Sequence, residues 1–343
     1  MSKKLILIIF IAFIFFVYLG LFSKSSAMTI TPVRYELSGD PGETVKKEMV
    51  LINDDDVPVT YYSSFANFEA QGETGSAAFI ERPTEDIGTW MKTERSVIVY
   101  PGEQKTVEFS INIPDGAEPG GHFGVIFWGT SPEYIEDGKQ LAVSAKTGLI
   151  VLLSVKGEVE EVGGLIEFDT KDSKFWYNTL PVSFYYRFRN DGGDRIKPEG
   201  KIKIRNLLFI TIDKLNANPM DGNILPSSTR KFNIDWIKYT RSKDYEAKAG
   251  FISDFFDHVY YQWKNFAIGL YSAKLDISYG LSDEEAKKIV YFFVFPWQLI
   301  ICLIIIISTI YFGGKKLIKK YNNYIIKKAQ SMMNTPISDS HVQ

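Results

Sequence analysis

The chain is poor in the residues that staple and ligate. It has one cysteine, Cys302, and three histidines among 343 residues. A single cysteine excludes any intrachain disulfide. Eukaryotic secreted proteins built of small domains usually carry disulfides, and no Asn-x-Ser/Thr acceptor lies outside the apolar segments. Both absences favour a bacterial surface protein. There is no His-x-x-x-His pair and no Cys cluster to make a zinc site. A Gly-x-Ser-x-Gly elbow and a phosphate-cradling Gly-x-x-x-x-Gly-Lys loop are missing too. Composition alone leaves a Ser/His/Asp triad open, but neither His122 nor His258 has a motif around it, and His341 is near the C-terminus. The expectation is a protein that is not an enzyme and needs no cofactor or metal.

Charge is unevenly placed. The net charge is only −2, yet all but one of the 41 acidic residues fall in 28–290. The segment after Phe312 carries six lysines and one aspartate. An acidic body argues against nucleic acid, whose binders cluster Lys and Arg against phosphates. A basic tail suits the anionic inner leaflet of a membrane.

Two long apolar runs set the expected topology. Lys3 and Lys4 precede an apolar stretch over 5–22, followed by Ser25-Ser26-Ala27. This is the order of a signal peptide, 1–27, cut after Ala27. The alternative is an uncleaved anchor, because the run is long for a signal. The second run, 289–312, has 24 residues without a charge, more than the ~20 that cross a bilayer core. Pro296 starts a helix more readily than it sits inside one, and the residues just before it are β-branched and aromatic. The reading is a last strand that ends at Phe295 and a transmembrane helix over 296–312. Trp297 and Tyr311 sit at its two ends as interface anchors. Lys315, Lys316, Lys319 and Lys320 then place the tail, 313–343, in the cytoplasm and residues 28–295 outside. No Leu-Pro-x-Thr-Gly signal for wall attachment is present.

Between these runs the pattern is one of short strands and turns. Pro41-Gly42-Glu43 precedes 44–53, with apolar Val45, Met49 and Leu51 on one face, and Asn53-Asp54-Asp55-Asp56 closes it. Those aspartates are read as a solvated turn in preference to a calcium loop, whose full spacing is missing. Pro101-Gly102-Glu103 repeats the first turn, and Val107, Phe109, Ile111 and Ile113 then alternate with polar residues. The runs 123–128 and 149–155 are nearly continuous in apolar residues, as central strands are. Residues 157–164, with three glutamates, read as a hinge. Strands are then expected over 181–190, 201–205, 208–213, 230–236, 270–279 and 288–295. The fold class is therefore all-β: two tandem immunoglobulin-like β-sandwiches, 28–156 and 165–295, plus one C-terminal transmembrane helix.

One segment breaks the strand pattern. Phe251, Phe255, Phe256, Trp263 and Phe266 recur at helical spacing, which predicts a short amphipathic helix over about 250–266 inserted in the second sandwich. Three roles are open to that aromatic face: covering its own sandwich, resting on the bilayer, or docking a partner.

In its layout and in the motifs of the first unit the chain resembles the WxL-interacting proteins of Gram-positive bacteria. Those motifs are Pro41-Gly42-Glu43, Asn53-Asp54, Pro101-Gly102-Glu103 and Gly120-Gly121-His122-Phe123-Gly124. The resemblance implies a first domain that contacts peptidoglycan and a second that engages a surface protein, with no binding motif to carry onto particular positions. The inserted aromatic helix departs from that family. The expected function is a membrane-anchored, non-catalytic surface scaffold that contacts cell wall and protein partners. The alternatives are a structural or chaperone-like subunit of an envelope or export assembly, and a cell-wall enzyme using paired carboxylates.

Overall fold

A computed structural model describes residues 28–132, 145–241, 250–280 and 282–333. The expected signal peptide, 1–27, and the end of the expected tail lie outside the described residues. Contacts divide the chain into two compact units. The first takes the described residues up to Gly164 together with Arg189–Lys197 and Asn223–Arg230. The second takes Leu165–Phe188, Pro198–Gly222 and the described residues from Lys231 onward.

The first unit is built on β1 (Met28–Thr31), β2 (Arg34–Gly39), β3 (Thr44–Asn53), β4 (Val59–Gln71), β5 (Ser76–Glu81), β6 (Met91–Thr93), β7 (Ser96–Val99), β8 (Gln104–Asn112), β9 (Gly120–Gly129) and β10 (Lys146–Val155), with one helical turn, α1 (Ile87–Trp90). One sheet runs β1-β3-β8-β6. The other runs β2-β10-β9-β4-β5, with β7 also paired to β4. The alternation read from the sequence decides what is buried. Met49 and Leu51 of β3 and Val107, Phe109 and Ile111 of β8 face Ile126 and Trp128 of β9 and Leu149, Val151 and Leu153 of β10. The indole N–H of Trp128 donates to the Met49 Sδ at 3.3 Å, across the core. The nearly continuous apolar runs are the inner strands β9 and β10, each with a neighbour on both sides.

The repeated Pro-Gly-Glu signal has a local cause. Gly42 and Gly102 take φ of +80° and +68°, a region that favours glycine. The following glutamate closes each turn twice. The Glu43 amide donates to the Asp40 carbonyl and its carboxylate accepts from the Asp40 amide; Glu103 does the same with Tyr100. Asn53 ties the second of these turns to its surroundings, because the Gly102 amide donates to its carbonyl at 2.9 Å.

Residues 157–164, read as a hinge, group with the first unit. Their backbone is engaged there: Asp191 N–H donates to the Val162 carbonyl at 2.7 Å, and Gly193 N–H to that of Glu160 at 3.1 Å.

The second half carries β11 (Gly163–Thr170), β12 (Trp176–Tyr177), β13 (Val182–Asn190), β14 (Glu199–Asn206), β15 (Thr211–Asn216), β16 (Ser228–Trp236), β17 (Gly269–Tyr279) and β18 (Glu284–Val294). A three-stranded sheet, β11-β13-β16, faces a five-stranded one, β12-β18-β17-β14-β15. Phe184 and Trp236 of the first sheet meet Phe292 of the second edge-to-face, at 5.4 and 5.8 Å between ring centroids. The molecule is thus mostly β, with two immunoglobulin-like sandwiches in succession along the chain. An inserted helix, α2 (Phe251–Lys264), lies between β16 and β17.

Two expectations need correction. The strand expected over 208–213 begins only at Thr211. Residues 207–210 form the tip of the β14–β15 hairpin. Asn206 causes this: its Oδ1 accepts from the Leu208 and Ile210 amides at 3.1 and 3.0 Å, and Phe209 turns with φ of +58°. The final helix, α3, runs over Trp297–Met333 and so continues past Phe312 through the lysine-rich segment. It is long and apolar enough over Trp297–Gln330 to cross a membrane.

Candidate functional site

The sandwich and the apolar helix meet almost without a linker. β18 ends at Val294 and α3 starts at Trp297. Pro296 caps the helix, since its carbonyl accepts from the Ile300 amide at 3.1 Å. The Leu299 amide needs another acceptor and finds it outside the helix, in Gln262 Oε1 of α2 at 2.9 Å. The Gln262 Nε2 donates to the Asn178 carbonyl at 3.2 Å and to the Gln298 Oε1. Gln262 and Gln298 are both buried. A polar pair buried at the start of an apolar helix is tolerated because the two side chains bond each other and nearby backbone.

Other polar groups of α2 hold the rest of it down. Asn265, buried after the last turn, accepts from the Lys238 and Tyr239 amides and donates to the Tyr239 carbonyl. Asp257 pairs with Arg241 at 2.7 Å, and that guanidinium lies 4.5 Å over the Tyr261 ring. The side of α2 that carries Asp257, Tyr261 and Gln262 therefore faces the protein.

The aromatic side does not close on the protein. Phe251 is 88% exposed, Trp263 62% and Phe256 59%, and Phe266 is exposed too. Phe255 is half-buried, 6.3 Å from the Trp297 ring at the start of α3. Ile252 and Tyr260 widen the exposed stripe. Sequence periodicity finds these aromatics but misses Gln262 and Gln298. A lone Gln298 inside a charge-free apolar run was the available signal, because a polar group there needs a partner.

Replacing Gln262 by leucine keeps the volume but strips the Leu299 amide, the Asn178 carbonyl and Gln298 of their partner. The expected loss is about 2 kcal/mol, read as faster hydrogen exchange at the Leu299 amide and across α2 in the detergent-solubilised chain. Unchanged exchange would show that the pair does not hold α2 in place.

The remaining sequence candidates are bonded within the protein. His122 has both ring nitrogens engaged, Nδ1 with Asp86 Oδ1 at 2.5 Å and Nε2 with the Glu118 carbonyl at 2.8 Å, and its ring lies 4.7 Å from that of Trp90. Burial works against its charged form, but the Asp86 carboxylate and the Glu118 carbonyl more than offset that. Its pKa lies above the ordinary histidine value. Asp54 accepts from the Thr29 hydroxyl at 2.9 Å, and the Asp55 amide donates to Asn53 Oδ1 in the turn. Among the described residues no group of three or more His, Cys, Asp or Glu is arranged to hold a metal ion. The first unit has a half-open cavity of about 190 Å³ between Phe68, Ile150, Leu152 and Leu225. Its arginines are engaged, Arg34 with Glu36 at 3.0 Å and Arg230 with the Asn223 carbonyl at 2.7 Å.

No family model matches the chain, and no curated protein matches it. Solved structures with a similar arrangement include the class 5 fimbriae chaperone CfaA, at 12% identity and a TM-score of 0.36 over 78% of this chain and 99% of that one. The Escherichia coli chaperone DraB gives 11% and 0.31 over 78% and 97%. The CsuC–CsuE chaperone–tip adhesion subunit complex of Acinetobacter baumannii gives 9% and 0.31 over 60% and 90%. Scores this low carry no argument about what the chain does.

Proposed function

We propose that the chain is a membrane-anchored, non-catalytic binding protein that holds β-sandwiches at the outer face of a bacterial membrane for contact with cell wall and protein partners. One observation carries the anchoring: the last strand of the second sandwich passes through Phe295 and Pro296 straight into a helix whose isoleucines from Ile304 to Ile310 the described residues leave more than half exposed. Left in water, such a surface costs about 25 cal/mol for each Å². The excess of lysine after Phe312 supports an inward tail, and the acidic body suits the outside. Contact with peptidoglycan rests on the resemblance to the WxL-interacting proteins.

Two experiments on the full chain test this reading. Protease added to intact, wall-stripped cells is expected to digest residues 28–290 and spare a tag on the tail; a protected body reverses the topology. The detergent-solubilised chain is expected to sediment with purified peptidoglycan. No enrichment over an unrelated acidic sandwich, combined with crosslinks in cells to integral membrane proteins, would replace the wall contact with the assembly-subunit reading.

A further inference from the structure

The exposed tip of the β14–β15 hairpin carries four consecutive apolar residues, Leu207, Leu208, Phe209 and Ile210. Leu208 is 72% and Phe209 73% exposed. A hairpin turn in water is ordinarily built from Gly, Asn, Asp, Pro or Ser, and a run of three or four exposed apolar residues is a liability unless it has a use.

Strand register shows where the tip lies. Asn206 pairs with Tyr271, and Gly269, two residues along β17, pairs with Val294 at the end of β18. The tip is therefore at the end of the five-stranded sheet from which α3 leaves. Asn206, through Tyr271, is level with Phe292, and the tip projects beyond it toward the level of Val294. That is about 7 Å short of Pro296 at a strand rise of roughly 3.4 Å per residue. The polar layer of one leaflet is about 5–8 Å thick. With Trp297 at the lower edge of that layer and the strands along the bilayer normal, the tip would lie at its upper edge.

The opposite edge of the same sheet end is also aromatic. Trp176 of β12 pairs with Phe293, lies 4.7 Å from its ring at a tilt of 57° and is itself largely exposed. From β12 to β15 is four strand spacings, about 19 Å. α2 adds its stripe at the level of Leu299, because Gln262 bonds that amide.

We propose that the hairpin tip 207–210 is a membrane-inserting loop that seats the second sandwich in the headgroup layer, together with Trp176 and the exposed stripe of α2. The occupant is the lipid of the membrane that α3 crosses. The reason is continuity: the tip, Trp176, α2 and α3 share one end of one sheet, and α3 already requires a bilayer there. A single helix fixes the position of the sandwich but leaves its tilt free. Apolar contacts at both edges of the sheet restrain the tilt. This inference rests on the proposed anchoring.

The test uses the full chain in a Cys302→Ser background, reconstituted in vesicles of phosphatidylcholine and phosphatidylglycerol containing a nitroxide-labelled lipid. One environment-sensitive fluorophore is attached through Phe209→Cys, through Leu303→Cys in α3, or through Glu285→Cys. Glu285 pairs with Ser278 at the far end of the sheet. Phe209 and Glu285 are both exposed, so the labels at these two sites disturb no core. The expected result is strong quenching at 303, quenching at 209 several-fold above that at 285, and a blue-shifted emission at 209. Quenching at 303 with 209 no different from 285 overturns the inserting loop and leaves the anchoring intact. No quenching at any of the three overturns the anchoring itself, and the inserting loop with it.

Discussion

Replacing Asn53 with alanine is expected to destabilise the first sandwich by about 3 kcal/mol. The Asn53 side chain is fully buried and makes four hydrogen bonds. Its Nδ2 donates to the carbonyls of Val57 and Val99 at 2.8 and 3.0 Å, and its Oδ1 accepts from the Asp55 amide and the Tyr61 hydroxyl at 3.0 and 3.2 Å. Each bond contributes about 1 kcal/mol net, and buried partners left unpaired cost more than that mean. The control is Asn112→Ala, whose side chain accepts one exposed bond from Thr44 and should cost less than about 0.5 kcal/mol. Denaturant unfolding of the detergent-solubilised chain, with hydrogen exchange in β3 and β8 to assign the transition, measures both. A loss below about 1 kcal/mol for Asn53→Ala would mean that water replaces the asparagine and that the turn does not depend on it.

Trp236→Ala is expected to cost the second sandwich about 3–5 kcal/mol, the range for a large aromatic removed from a packed core. Trp236 is fully buried, meets Tyr271 and Phe292 edge-to-face, and donates its indole N–H to Asp213 at 3.0 Å. The loss should appear as faster exchange in β17 and β18. Trp263→Ala is the matched comparison. It deletes the same side chain from the exposed stripe of α2, so exchange in β17 and β18 should stay unchanged. If both variants weaken the sheet equally, α2 is part of the core and its aromatic side is not a free face. That result would remove α2 from the proposed membrane contact while leaving the hairpin tip to be judged on its own labels.

The motifs that carry the resemblance to the WxL-interacting proteins have structural jobs. Pro41-Gly42-Glu43 and Pro101-Gly102-Glu103 are turns closed by their own glutamates, and Asn53 ties together the loops around it. Other sandwiches can use the same turn chemistry. Peptidoglycan contact is therefore judged by sedimentation and not by these residues.

Much of the fold was legible because its signals are local. A period of two in Val107, Phe109 and Ile111 needs only the pleat to place all three inside. A positive φ at Gly42 follows from the turn itself, and the spacing of Phe251, Phe255 and Trp263 is that of one helix. The charge-free run before the lysines marks α3 by length alone. Other features depended on which segments meet in space. The run 208–213 has the composition of a strand, and only the bonds that Asn206 accepts and the pairing of β14 with β15 turn its first half into an exposed tip. Helical spacing identifies the aromatic residues of α2 but does not say which side is covered. That was decided by Gln262, Asn265 and Asp257, whose partners lie 36, 27 and 16 residues away in sequence, at Gln298, Lys238 and Arg241. Periodicity reports a face; it takes partners distant in the chain to decide which face is buried.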